Sequence, residues 1–391
     1  MDNINLEHEI ALELLKIDTT VNILKEQVND EEKITLLQID DSVIELTKRH
    51  LIELGYTPII IKDHKNNNRI AAIFAEGTNC NIAFQGHLDT VPKNEWDKEC
   101  EYNWLGEITE KNEEKVLFGR GAIDMKAQIG ALFASLYETN KRPHIILTTD
   151  EEMGHYSGFA GIHNTLDYMK RNNISPEFFV NMEASSFNVT YSRKGAMTVN
   201  IYVKGKSAHG SRPEEGINSI YRARRIIEAI ENHIEEIKQI KDPVLGYRTI
   251  NIGKISGGSR VNTVPDETII NLESRLIPGE TGEQATEKLI AAISKQTGFT
   301  QGNEFEAILG MNYPPYQMPV EFAKSIAEKI PLAKGIGGEF GFAEDNFICN
   351  KGFNVIGFGP TNQHAHEPGE YVTLNDLTKC KDCYISLIEN K

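Results

Sequence analysis

Cysteine is scarce in this sequence: five residues in 391, at Cys80, Cys100, Cys349, Cys380 and Cys383. An odd number scattered through so long a chain argues against a disulfide framework and for reduced thiols. Only Cys380 and Cys383 form a C-x-x-C. With no second pair or nearby histidine, in a stretch that reads as a terminal helix, their simplest role is packing. Basic residues are also in deficit, 41 against 57 acidic ones, and the formal charge of −16 argues against nucleic acid or an anionic membrane as a partner. No apolar run reaches membrane-spanning length. The N-terminal "MDNINLEHEIALELLKIDTT" lacks the basic start and unbroken apolar core of a signal peptide, so a cytoplasmic location is the expectation. The G-x-S-x-G of serine hydrolases and the H-E-x-x-H of mononuclear zinc proteases are missing too. So are internal repeats and low-complexity tracts; "KNNN" and "KNEEK" read as polar loops.

What is present is an alternation. The length exceeds what one hydrophobic core usually supports, so two domains are expected. In the first half, "TPIIIK", "IAAIFA", "NIAFQG", "HIILTT" and "EFFVNM" read as strands. Between the third and fourth, Ile129, Leu132, Phe133, Leu136 and Tyr137 recur at helical spacing and form one apolar face. Strands alternating with helices predict an α/β domain with a buried central sheet. From residue 191 the order changes to strand "GAMTVNIYVKG", long helix, strands "YRTINIGKI" and "ETIINLESRL", and a helix. Thr281 and Gln284 mark the start of that last helix with a capping-box spacing. This β-α-β-β-α order suits a small two-layer α+β domain inserted at 191–303. The strands "FEAILGM" and "NVIGFG" and a terminal helix then resume the first style, so residues 1–190 and 304–391 form the other domain.

The chemistry-bearing residues stand just past apolar strands, where open α/β folds place ligands. His87 ends "NIAFQGH", with Gly86 letting the backbone turn, and Asp89 lies two residues on, placed to hold the imidazole ring and fix its free nitrogen. Asp124, in "GRGAIDMK", precedes the helix and reads as its N-cap, a position compatible with metal ligation. Asp150, Glu151 and Glu152 follow "HIILTT" directly; three adjacent carboxylates repel unless solvated or held by a cation. Glu183 follows "FFVNM", and either His364 or His366 follows "NVIGFG". Each has a bland alternative: a structural histidine, a cap, a solvated acidic turn. Two histidines and three carboxylates at separate strand ends are jointly the donor set of two divalent ions sharing one carboxylate.

In its motifs the chain resembles the dizinc amidohydrolases and metallopeptidases that include acetylornithine deacetylase, succinyl-diaminopimelate desuccinylase, aminoacylase-1 and carboxypeptidase G. The matching stretches are "GHLDTVP", "GRGAIDMK", "TTDEEMG", "NMEASS", "GKSAHGSRPEEGINSI" and "AHEPGEYV", in family order and spread over most of the chain. The resemblance implies a zinc-peptidase-like catalytic domain with a mixed sheet between helices, and an inserted ferredoxin-like lid that also mediates homodimerisation. It implies two Zn2+, replaceable by Co2+ or Mn2+: His87 and Glu183 on one ion, His366 and Glu152 on the other, Asp124 bridging, and Glu151 as general base. His366 is preferred to His364 because the family pattern is Ala-His followed four residues on by Glu-Tyr, here Ala365, His366, Glu370 and Tyr371. Asp89 takes the orienting role. The resemblance further implies that His209, in "SAHGS", polarises the scissile carbonyl, often from the neighbouring subunit, and that Asn262 and Arg275 hold the substrate carboxylate. "NMEASS" departs from the Glu-Pro-Thr of many relatives.

Within that family, "NYPPYQMP", "FAEDNFI" and "AHEPGEYV" are most similar to acetylornithine deacetylase. The expected activity is metal-dependent hydrolysis of the amide of an N-acyl amino acid, with a dipeptidase, a carboxypeptidase or a succinyl-diaminopimelate desuccinylase as the alternative. A non-catalytic binding protein would be marked by lost ligands, and here all candidates are present.

Overall fold

The computed structural model describes residues 4–21, 23–28, 31–36, 38–92, 104–361 and 364–389. Cys100 lies outside them. The chain divides into two compact units, one of residues 1–191, 318–337 and 343–391, the other of residues 192–317 and 338–342.

The first unit is built on a mixed sheet. Seven of its strands lie side by side in the order Asn188–Arg193, Val355–Gly357, Phe178–Asn181, Ile82–His87, His144–Thr148, Arg69–Ala75 and Ile59–Asp63. The four strands from Val355–Gly357 to His144–Thr148 are parallel. They are also buried at every residue, as the unbroken apolar runs required. Their carboxyl ends therefore leave the sheet at one edge. Helices Leu6–Leu15, Lys126–Glu138 and Leu374–Glu389 pack through Ala11, Leu15, Ala127 and Leu377.

Helix Lys126–Glu138 differs from its expected amphipathic form. It is buried from Lys126 through Leu136, while Tyr137, expected on the apolar face, is 38% exposed and donates its hydroxyl to Glu53. Cys380 and Cys383 are buried on one face of the terminal helix as packing residues. The structure adds elements beyond those the sequence reading names: the antiparallel pair Ile23–Val28 and Glu31–Leu36, helix Asp41–Glu53, which buries Val43, Ile44, Thr47 and Leu51 at helical spacing, and the small sheet of Glu107–Lys111, Glu114–Phe118 and Tyr371–Thr373. "KNEEK", expected as a loop, includes the ends of the first two of these strands and the tight turn between them, where Asn112 and Glu113 take positive φ.

The second unit is a four-stranded antiparallel sheet in the order Thr249–Gly257, Glu267–Leu276, Gly195–Lys204, Phe305–Tyr313. Helices Ser219–Ile237 and Gly282–Thr297 are the other elements of its core, giving the ferredoxin-like β-α-β-β-α-β arrangement. Burial alternates along Glu267–Leu276, as expected of a sheet with one face covered. Asn218 caps the first helix through Ile220 and Tyr221 N–H, and Thr281 caps the second through Gln284 N–H. The sequence reading places the strand Phe305–Tyr313 in the other domain. Phe305 and Ala307 instead sit in this unit's core, and the strand pairs with Gly195–Lys204, so a boundary at 303 omits the fourth strand. None of the described helices is long and apolar enough to cross a membrane.

Candidate metal centre

The expected ligands of the first unit meet at the carboxyl edge of the parallel strands. His87 is the last residue of its strand and fully buried. Its Nδ1 donates to the Asp89 backbone carbonyl at 2.9 Å, so Nε2 is the nitrogen turned to the site. Nε2 lies 2.8 Å from Asp124 Oδ1 and 3.5 Å from Glu183 Oε1. The other Asp124 oxygen lies 2.9 Å from His366 Nε2, which is also 3.1 Å from Glu152 Oε1. One carboxylate thus faces two imidazoles, one per oxygen. Donor atoms of His87, Asp124 and Glu152 lie within 4.8 Å of one another. His364 points elsewhere, its Nδ1 2.8 Å from Glu367.

Local structure sets each group. Gly86 is part of the strand and does not turn it; a Cβ there would stand 2.9 Å from the Met182 methyl and 3.1 Å from that of Met125. Asp124 is not the helix cap: the helix starts at Lys126 after Met125, without a side-chain cap. Of the three consecutive acids, Asp150 turns inward to Arg69 Nη2 at 2.6 Å, which relieves the expected repulsion. Asn181 Oδ1 accepts the Glu183 N–H at 2.8 Å. Glu344, buried behind the strand ends, accepts from Gln85 Nε2 and, at 2.7 Å, from Thr148 Oγ1.

Asp89 departs from its expected role. It was placed to hold the His87 ring with its carboxylate, but the ring takes the backbone carbonyl, and Oδ1 is 3.6 Å away. Its two carboxylate oxygens accept the N–H groups of Glu151 and Glu152, at 3.2 and 3.0 Å. The side chain organises the acidic loop.

Electrostatics follow from crowding charge in a dry site. Contacts with Asp124 and Glu152 push the His366 pKa up to about 11. Burial opposes a charge on His87, yet Asp124 and Glu183 hold its pKa well above the ordinary value. Burial likewise opposes ionisation of Asp124, and the hydrogen bonds from His366 and His87 outweigh it. Burial, and next to it the charge of Asp124, raise Glu152 to about 7. Burial, against the pull of His87 and helped by Glu152 and Glu183, holds Glu151 well above the usual carboxylate range. Three carboxylates gathered around two imidazoles favour a cation among them, and these nitrogen and oxygen donors are those divalent transition ions take. The residues fit such a group.

Residues 191–300 match the model of the peptidase dimerisation domain of the M20 family. Over 395 residues the chain is 29% identical to an acetylornithine deacetylase of Buchnera aphidicola, covering 96% of each sequence. The inserted domain is that of the M20 peptidases, and the chain, similar to an acetylornithine deacetylase along its length, is a hydrolase that acts on amide bonds. Among solved structures, a tripeptidase of Staphylococcus aureus matches with a TM-score of 0.72 at 20% identity, over 98% of this chain and 97% of that one. A dinuclear metal-binding peptidase of the same family from Bacillus subtilis matches at 0.67 and 14% identity, over 98% and 96%.

The family's dimerisation domain carries the remaining candidates. His209 sits in a two-residue strand paired with Thr263–Val264, and the Gly210 N–H donates to the Asn262 carbonyl at 2.7 Å, so His209 and Asn262 lie on adjoining segments. His209 Nδ1 accepts the Ser211 N–H at 3.2 Å, with the Ser211 hydroxyl 2.7 Å away, which leaves the proton on Nε2. Arg275 is paired with Glu273 at 2.6 Å on its own strand.

Proposed function

We propose that this chain hydrolyses the amide bond of an N-acyl amino acid at a centre of two zinc ions. The observation that carries the reading is Asp124, whose two oxygens each face a histidine, His87 at the end of a strand and His366 on a loop, the arrangement of a bridging carboxylate. His87 and Glu183 would hold one ion, His366 and Glu152 the other. When bound, such ions supply Lewis acidity that polarises an amide carbonyl and makes water more acidic.

The chain's own residues do the rest. Glu151, with its raised proton affinity, accepts a proton from the attacking water and returns it to the departing amine nitrogen. Asp89 fixes Glu151 through its backbone N–H. His209 donates from Nε2 to the developing oxyanion. Asn262 and the guanidinium of Arg275 bind the substrate carboxylate; Glu273 engages one of the Arg275 nitrogens, so the other edge is the one offered. The 29% identity to an acetylornithine deacetylase supports an acyl amino acid as substrate and the lid's family match supports a homodimer. Glu151→Gln tests the assignment: it should keep its metal while turnover falls about 10²- to 10⁴-fold. Turnover near wild type would remove Glu151 as the base.

A further inference from the structure

In the sequence Glu370 stands only as part of the pattern around His366. In the structure it is 3% exposed, and both oxygens of its carboxylate are engaged. Oε1 accepts three backbone N–H groups, of Gly121 at 3.0 Å, Ile123 at 2.9 Å and Asp124 at 3.2 Å. Oε2 accepts from Arg120 Nη1 at 2.6 Å, and the Glu370 backbone carbonyl accepts the Gly119 N–H at 3.1 Å. Arg120 is buried too, with its guanidinium 4.8 Å from the Trp104 ring. Nη1 also reaches the Glu367 carbonyl, at 3.5 Å.

A buried carboxylate is costly unless matched, and here its charge meets an arginine and its lone pairs meet three amides. The amides belong to the loop that presents Asp124. The carboxylate belongs to the loop that presents His366, four residues earlier.

We propose that Glu370 is a positioning residue for the metal centre: by tying residues 119–124 to the loop of His366, it fixes the two sides of the bridging carboxylate relative to each other. This rests on the reading of Asp124 as a shared ligand. Glu370 itself touches neither His87 nor His366, so its loss should act on how well the ligands converge and not on substrate contact.

The test uses full-length Glu370→Gln and Glu370→Ala, stripped of metal and titrated with cobalt while the cobalt absorption band is followed. Glu370→Gln keeps the size and one acceptor oxygen but loses the charge matched to Arg120. It should fold as the wild type does by circular dichroism, bind cobalt about 10- to 100-fold more weakly, and show a shifted band. Turnover should fall with KM nearly unchanged, and Glu370→Ala, if it folds, should be worse on each count. A lowered melting temperature with wild-type cobalt affinity, band and kcat would overturn the proposal, as would a change in KM alone. Wild-type protein that took up no cobalt would instead remove the metal centre itself; wild type binding two ions beside an indistinguishable Glu370→Gln would refute only the role of Glu370.

Discussion

Replacing Asp89 by asparagine separates two accounts of the His87 loop. If Asp89 acts through the imidazole ring, Asp89→Asn should lose metal. The geometry predicts otherwise, because the bond to His87 Nδ1 comes from the Asp89 backbone carbonyl, which every side chain retains. What the substitution removes is one of two carboxylate oxygens that hold the Glu151 and Glu152 amides, and it sets an NH2 group against an N–H donor. A hydrogen bond to a charged group is worth about 1.5–3 kcal/mol. Fully expressed in the placement of Glu151, that is a loss of roughly 10- to 150-fold in kcat at about 1.4 kcal/mol per tenfold. Folding should suffer less, because burial already raises the Asp89 pKa to about 6, His87 acting the other way, and the neutral amide escapes that cost. The assay pairs elemental analysis of metal with kcat and KM on a substrate the wild type turns over. Metal content that fell in step with activity, leaving kcat per bound ion unchanged, would refute the reasoning.

Three further outcomes follow from the same structure. His87→Ala and His366→Ala should each lower metal content, and zinc stoichiometry equal to wild type in either would exclude that residue as a ligand. Phe305→Ala should cost about 3–5 kcal/mol of stability, because Phe305 is buried in the core of the second unit, and a loss below about 1 kcal/mol in denaturant unfolding would show that its strand is not part of that core. His144 is held neutral by burial and accepts the Gly77 N–H at 3.0 Å. Its pKa is lower folded than unfolded, so the unfolded chain binds more protons as pH drops below about 6.5 and stability is lost in that direction. His144→Asn, whose oxygen can accept the same bond, should lose less melting temperature between about pH 7 and about pH 5 than the wild type. Equal slopes would argue against it.

Much of this arrangement is legible before any coordinates. Parallel strands buried on both faces leave unbroken apolar runs, and the residue after each run must lie at the sheet's carboxyl edge. That is why His87, the acidic loop after Thr148, and Glu183 read as one site. Single atoms are not legible in the same way. Two residues of spacing place Asp89 beside His87, but whether the carbonyl or the carboxylate meets the ring depends on how the loop of Glu151 lies across it, some 62 residues away. The hydrogen bonds of Glu370 span about 250 positions and follow no periodicity; the only local sign is its place after His366. The strand Phe305–Tyr313 misled for a related reason: an apolar run announces a strand but not the sheet it joins, and its partner lies about a hundred residues back.

The central claim is metal-dependent hydrolysis of an N-acyl amino acid, and the most direct measurement is amine release from a panel of N-acetyl and N-succinyl amino acids and dipeptides. The panel is run on protein stripped of metal and then reloaded with zinc or cobalt. The account predicts no release without metal, recovery as about two ions bind each chain, and preference for an acetyl amino acid. Metal-loaded protein that cleaved only dipeptides would move the chain to the peptidase side of its family. Release that was equal with and without metal would contradict the account.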